Sequence, residues 1–186
     1  EFDREFEFGP YDEVPLEEVN DFGDKSSLLM VSKLIEDDFA YIKFITTMLC
    51  NGLSSPLYQE VREKRGLVYY IRCYLSRLNN KGAVYINTQT NTDNVNLVFD
   101  AIEEVFDKPE KYLTRERFEI VKKMYLINIK KSIINRYENV YEWIQPKDWS
   151  VKEIIKDITY EKVLEVFNKY FKFNNFYLSH DKEEFK

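Results

Sequence analysis

Histidine is almost missing from this chain: among 186 residues there is one, His180, close to a polar tail. A catalytic zinc site needs about three protein ligands, commonly with two or more imidazoles among them. His180 with Asp181, Glu183 and Glu184 reads as a solvated end rather than a ligand set. Cysteine is scarce as well. Cys50 and Cys73 form no CxxC pair and are expected to be buried thiols of an intracellular protein, not a disulfide framework. No apolar run approaches the roughly 20 residues of a membrane-spanning helix, and no signal peptide is read at the start, so a cytoplasmic location is expected. Positive charge is in deficit, with 27 Lys and Arg against 33 Asp and Glu and a net charge of -6. That balance excludes a nucleic-acid surface, which requires clustered cations against phosphate. Lys122-Lys123 and Lys130-Lys131 read instead as the wet face of a long helix. There is no GxSxG elbow, no GxxxxGK phosphate loop and no second histidine to activate either cysteine.

What the chain does have is apolar and aromatic substance. Hydrophobic residues make up 44% and aromatic residues 16%, including 14 Tyr and 14 Phe, which excludes disorder over most of its length. A chain of this size buries roughly 70% of its unfolded surface. Residues 1–25 are acidic and broken by Gly9, Pro10, Pro15 and Gly23, and read as an extended lead-in or linker before one domain over 26–186. Ser27 to Ile35 reads as a buried strand, and Phe39, Ile42, Thr46 and Leu49 recur at helical spacing in a helix of about Asp37 to Asn51, stopped by Gly52. Ser55 is the expected N-cap of a helix with Pro56 first and Gly66 as its stop. Leu67 to Leu75 and Ala83 to Thr90 read as a hairpin turning at Asn79-Asn80-Lys81-Gly82. Val95 to Phe106 carries one apolar stripe, Thr114 caps a long helix to about Arg136, residues 138–157 read as short helical pieces interrupted at Pro146, Thr159 caps a further helix, and Asn175 to His180 closes as a strand. Strands and helices do not alternate as in a parallel α/β fold. The expected class is α+β, an antiparallel sheet with helices packed on one face.

The stretch Asn51 to Tyr74, NGLSSPLYQEVREKRGLVYYIRCY, carries more information than any other. A helix rich in Glu and Arg runs into Gly66, and an aromatic segment follows at once. This closely resembles a segment in the second, zinc-free half-domain of the M16 (pitrilysin, insulinase, processing-peptidase) metallopeptidases. The resemblance covers about Ser27 to Ser179 and implies their LuxS-like metallohydrolase half-domain fold. It departs between Arg136 and Val151, a segment that looks compressed and carries Trp143 and Trp149.

In active members the zinc sits on an HxxEH helix of the other half, which this chain lacks. The resemblance therefore implies a substrate-binding, non-catalytic half: no cofactor in this chain, zinc in an HxxEH-bearing partner half or subunit, and a peptide substrate. The chain alone is expected to be inactive, and the isolated fragment to self-associate through the surface that its partner half covers. Arg62 and Tyr69 match the pair that supports the scissile peptide and the developing oxyanion in that family. The chemistry suits them, because a guanidinium donates planar charge-assisted bonds to carbonyls and a phenol stabilises developing negative charge. Read without the resemblance, Arg62 is a surface ion-pair residue beside Glu60 and Glu63, and Tyr69 packs on the sheet. Tyr70 and Arg65 are the lesser alternatives. The alternative to a substrate-binding half is a zinc-less subunit or scaffold relative that pairs with a separate catalytic chain and contributes nothing to the chemistry.

Overall fold

Strict alternation builds the sheet. In β3 (Lys81–Asn91) Val84, Ile86, Thr88 and Thr90 are buried while Tyr85, Asn87 and Gln89 between them are half-buried. The structure, a computed structural model, describes residues 25–78, 81–134 and 150–180. With β1 (Lys25–Ser32), β2 (Ile71–Leu78) and β4 (Phe176–His180), β3 forms a four-stranded antiparallel sheet of order β2-β3-β1-β4. Leu28 and Met30 of β1 and Ile71 of β2 extend the same buried face. The lead-in expected over 1–25 lies outside the described residues except Lys25, which opens β1.

Helices cover that face in two layers. α1 (Phe39–Cys50) packs on β2, and Ile42, Phe44, Ile45, Met48 and Leu49 are wholly buried. A helix apolar on so many sides must be enclosed on more than one. The second layer comes from α4 (Arg115–Ile134), α5 (Val151–Ile154) and α6 (Tyr160–Tyr170), all in contact with α1. Each buried Phe or Leu side chain here contributes about 1.5–3 kcal/mol. α2 (Val95–Asp107) shows the expected stripe, with Val95, Val98, Ala101, Ile102, Val105 and Phe106 buried, and α3 (Pro109–Tyr112) follows it directly. Phe106 meets Phe167 and Phe171 edge-on at 6.0 and 5.8 Å, and those two rings stack at 5.0 Å.

Two helix starts are built as read from the sequence. The Thr114 hydroxyl accepts from the Arg117 amide at 3.2 Å, and that of Thr159 from the Lys162 amide at 3.2 Å. The fold is α+β as expected, an antiparallel sheet with its helices on one side. Asn79-Asn80, residues 135–149 with Trp143, Pro146 and Trp149, and the tail beyond His180 lie outside the described residues. Cys50 and Cys73 are free thiols, partly buried beside the core. Burial, and then a hydrogen bond with Cys50, push the Cys73 thiol well above its usual range.

Candidate functional site

Gly52, with φ 85°, ends α1 and turns the chain through Leu53 and Ser54 to Pro56. The helical segment that follows is wound as a π-helix over Tyr58–Lys64. Such wider turns are uncommon and are found often at functional sites. Ser55 does not cap it through its side chain. Its carbonyl accepts from the Gln59 amide at 2.9 Å, while its hydroxyl is buried without a hydrogen-bond partner. The tight turn that links the Ser55 amide to the Gly52 carbonyl at 3.0 Å packs this side chain inward, away from the helix start.

Gly66, with φ 61°, closes the π-helix, its amide bonded to the Arg62 carbonyl at 2.9 Å. The strand expected from Leu67 instead begins at Ile71. Residues 67–70 form a bridge segment whose carbonyls are held by hydroxyls of β3: Thr90 Oγ1 donates to the Leu67 carbonyl at 2.5 Å and Thr88 Oγ1 to that of Tyr70. Tyr69 is therefore not the third residue of a strand but the crest of this bridge, and 81% of it is exposed. A large aromatic side chain so exposed is not core packing.

Arg62 and Tyr69 come together across the corner. The Arg62 guanidinium carbon lies 5.2 Å from the centre of the Tyr69 ring and 4.7 Å from that of Tyr58. Both are within the range of cation–π attraction, about 0.5–1 kcal/mol at exposed sites. Arg62 also donates to the Tyr58 hydroxyl and lies 3.7 Å from Glu63. Its planar group is thus held by two rings and remains about one-third exposed. Tyr58 is a member of the cluster that the sequence reading missed. The signal was its spacing, because residues four apart meet on one helix face. Tyr70 lies under Arg72, at 5.5 Å, and Arg65 is turned away to Glu104.

Salt links fix the helix that carries Arg62. Glu104 of α2 meets Arg65, Lys108 at 3.0 Å and Lys111 at 3.5 Å. The Lys108 hydrogen bond is the main cause that pulls the Glu104 carboxyl down to about 2. On the other side Arg117 is 8% exposed and inserts its guanidinium beneath the end of α1. It donates to the carbonyls of Met48 at 3.1 Å, Thr47 at 3.5 Å and Asn51, and to the Ser54 hydroxyl at 3.1 Å. A cation there meets both the last carbonyls of α1, of which only that of Thr47 also accepts from the Asn51 amide, and the negative end of the helix dipole.

Nothing in this arrangement fits a zinc ion. The whole sequence has one histidine, and no group of three His, Cys, Asp or Glu is placed to hold a metal among the described residues. Among those residues no helix is long and apolar enough to cross a membrane.

The comparisons with known proteins agree with the fold. The peptidase M16 inactive domain from Pseudomonas fluorescens superposes with a TM-score of 0.64 at 22% identity, over 86% of this chain and 41% of that one. The inactive peptidase domain of a candidate zinc protease from Bordetella parapertussis gives 0.67 at 14% identity, over 88% and 94%. A protease from Helicobacter pylori gives 0.64 at 16% identity, over 85% and 41%. This chain thus spans less than half of the Pseudomonas and Helicobacter chains. No curated protein sequence matches it. The family model of the peptidase M16 inactive domain matches residues 27–125, more than half of the chain, and the protein belongs to that family.

Proposed function

We propose that this chain is the substrate-binding, zinc-free half of an M16-type metalloendopeptidase, and that Arg62 and Tyr69 are its contribution to the cleavage site. The observation that carries the reading is the cluster at the corner: an arginine flanked by Tyr58 and Tyr69 at 4.7 and 5.2 Å, with Tyr69 largely exposed. Two tyrosine rings hold the guanidinium in one orientation before any ligand arrives, which lowers the entropy lost when it grips a carbonyl. The Tyr69 phenol, exposed on its bridge, is a donor for negative charge that develops on a peptide carbonyl oxygen. An HxxEH-bearing half or subunit supplies the zinc, and this chain supplies grip and orientation.

The test is turnover by the assembled enzyme. Tyr69→Phe keeps the ring over Arg62 but removes the hydroxyl, so kcat is expected to fall roughly 100- to 1000-fold, as for loss of one oxyanion donor. Arg62→Ala is expected to cost a similar factor, mainly in kcat/KM. Circular dichroism and the unfolding midpoint of both variants should match the parent. Unchanged turnover in the Arg62→Ala/Tyr69→Phe double variant would sink the assignment.

A further inference from the structure

The chain has two cysteines, and the fold brings both to one place. Cys50 is the last residue of α1, and Cys73 is the third residue of β2, opposite the buried Ile86 of β3. Alternation along β2 puts Cys73 on the side of the sheet that buries Ile71, which is the side α1 covers. Cα atoms of α1 and β2 approach within 8 Å of one another. A disulfide spans about 4.4–6.8 Å between Cα atoms, so a helix and a strand this close can be bridged between facing residues. The two thiols are hydrogen-bonded to each other, and neither is fully enclosed.

Arg117 reaches the same spot. Its guanidinium binds the carbonyls of Met48 and Asn51, on either side of Cys50, and interacts by charge with the Cys50 sulfur. A cation beside a sulfur stabilises the negative charge with which a thiol attacks an electrophile. Burial and Cys50 push the Cys73 thiol up, which suits a resolving sulfur better than an attacking one. The pair also brackets the candidate site. Cys50 precedes the turn into the π-helix that carries Arg62, and Cys73 follows the bridge that carries Tyr69. A bond between them ties the two ends of residues 51–72 together at the base of that segment.

We propose that Cys50 and Cys73 are a redox-active dithiol, a modification site at which hydrogen peroxide forms a reversible disulfide across the base of the Arg62–Tyr69 corner. The inference stands apart from the substrate-holding role and does not depend on it. The Cys50 sulfur attacks one oxygen of the peroxide: an S–O bond forms, the O–O bond breaks, and the departing hydroxide takes the thiol proton to become water. The Cys73 sulfur then attacks the Cys50 sulfur: the S–S bond forms, the S–O bond breaks, and hydroxide leaves with the Cys73 proton as a second water. Two thiols lose two electrons and two protons, and one peroxide becomes two waters. An added dithiol reverses the link by exchange.

The experiment uses the whole chain, which carries a continuous hydrophobic core of its own. It is treated with millimolar hydrogen peroxide without denaturant and read by intact mass and peptide mapping. The expected product is a single chain lighter by two hydrogen atoms, with Cys50 linked to Cys73, and dithiothreitol should restore the starting mass. The loop so closed holds about 24 residues, and closing it should raise the unfolding midpoint by about 5–10 °C. Amides of residues 51–72 should exchange more slowly in deuterium, while those of the β1–β3 ladder stay as they were. In Cys73→Ala the reaction should stop at a Cys50 sulfenic acid that dimedone traps, whereas Cys50→Ser should leave Cys73 unmodified. Thiols that stay free, a disulfide joining two copies of the chain, or a link that forms only in urea overturns the proposal. So does a midpoint that falls when the internal disulfide forms, because bond and fold would then compete.

Discussion

Arg117 shows what a single residue does here that its sequence position conceals. Flanked by Glu116 and Phe118 near the start of α4, it looks like one more charge of a solvated helix. Its guanidinium instead lies in the molecule, bonded to three carbonyls at the end of α1 and to Ser54. Burial disfavours its charge and holds its pKa below the usual arginine value, against a smaller opposing pull from Cys50. The cost is met by bonds to the carbonyls of Met48 and Asn51, which would otherwise end the helix unpaired, whereas that of Thr47 also accepts from the Asn51 amide. Arg117→Ala should therefore destabilise the chain by about 2–3 kcal/mol, since it takes a charged donor from the Met48 and Asn51 carbonyls at once. Arg117→Lys should recover only part of this, because an ammonium cannot reproduce the planar fork. Urea unfolding followed by circular dichroism measures both. A loss under about 0.5 kcal/mol for Arg117→Ala, the size of an ordinary surface change, would contradict the packing described.

Among the elements, those whose ends are written locally were legible. Thr114 and Thr159 are caps in the sequence and in the structure, Gly52 and Gly66 are stops in both, and the apolar stripe of α2 is buried as spaced. The bridge over 67–70 was not legible. Leu67-Val68-Tyr69-Tyr70 has the composition of a strand, and only two hydroxyls some 18 and 23 residues downstream divert it. Thr88 and Thr90 are 2% and 4% exposed, so on local pattern they are merely strand residues facing the core. Their side chains take the carbonyls that a ladder would have used, and in doing so they lift Tyr69 out toward solvent. Thr90→Val keeps shape and burial but removes the donor, leaving the Leu67 carbonyl short of a partner at about 1–3 kcal/mol. Amides of residues 67–70 should then exchange faster in deuterium while those of the β1–β3 ladder keep their protection. In the assembled enzyme, turnover should fall although Arg62 and Tyr69 are untouched. Unaltered exchange across 67–70 would show that the bridge holds without these hydroxyls.

At the scale of the whole molecule the chain is a complete core around an incomplete chemistry. The sheet, α1 and the outer helices bury a continuous set of large side chains, and nothing in that core is organised around a metal. That Arg62 and Tyr69 come together was legible because it depended on one helix, one glycine and one spacing. The strand order was not, since it exists only once strands far apart in sequence lie side by side. The division of labour proposed above has a consequence for metal removal. A structural zinc contributes folding free energy directly, so chelation unfolds domains that depend on one. With one histidine in the sequence, and with the Cys73 thiol pushed up by burial and by Cys50, the described residues offer no comparable site. A chelator such as EDTA at millimolar concentration should leave its thermal unfolding midpoint within about 1 °C, where loss of even 1 kcal/mol would move it by roughly 2–4 °C. The same treatment should abolish peptide cleavage by the assembled enzyme, and zinc should restore it without changing the midpoint of this half. A midpoint that falls on chelation and recovers with zinc would place a structural metal in this chain and remove the basis for assigning zinc to its partner alone.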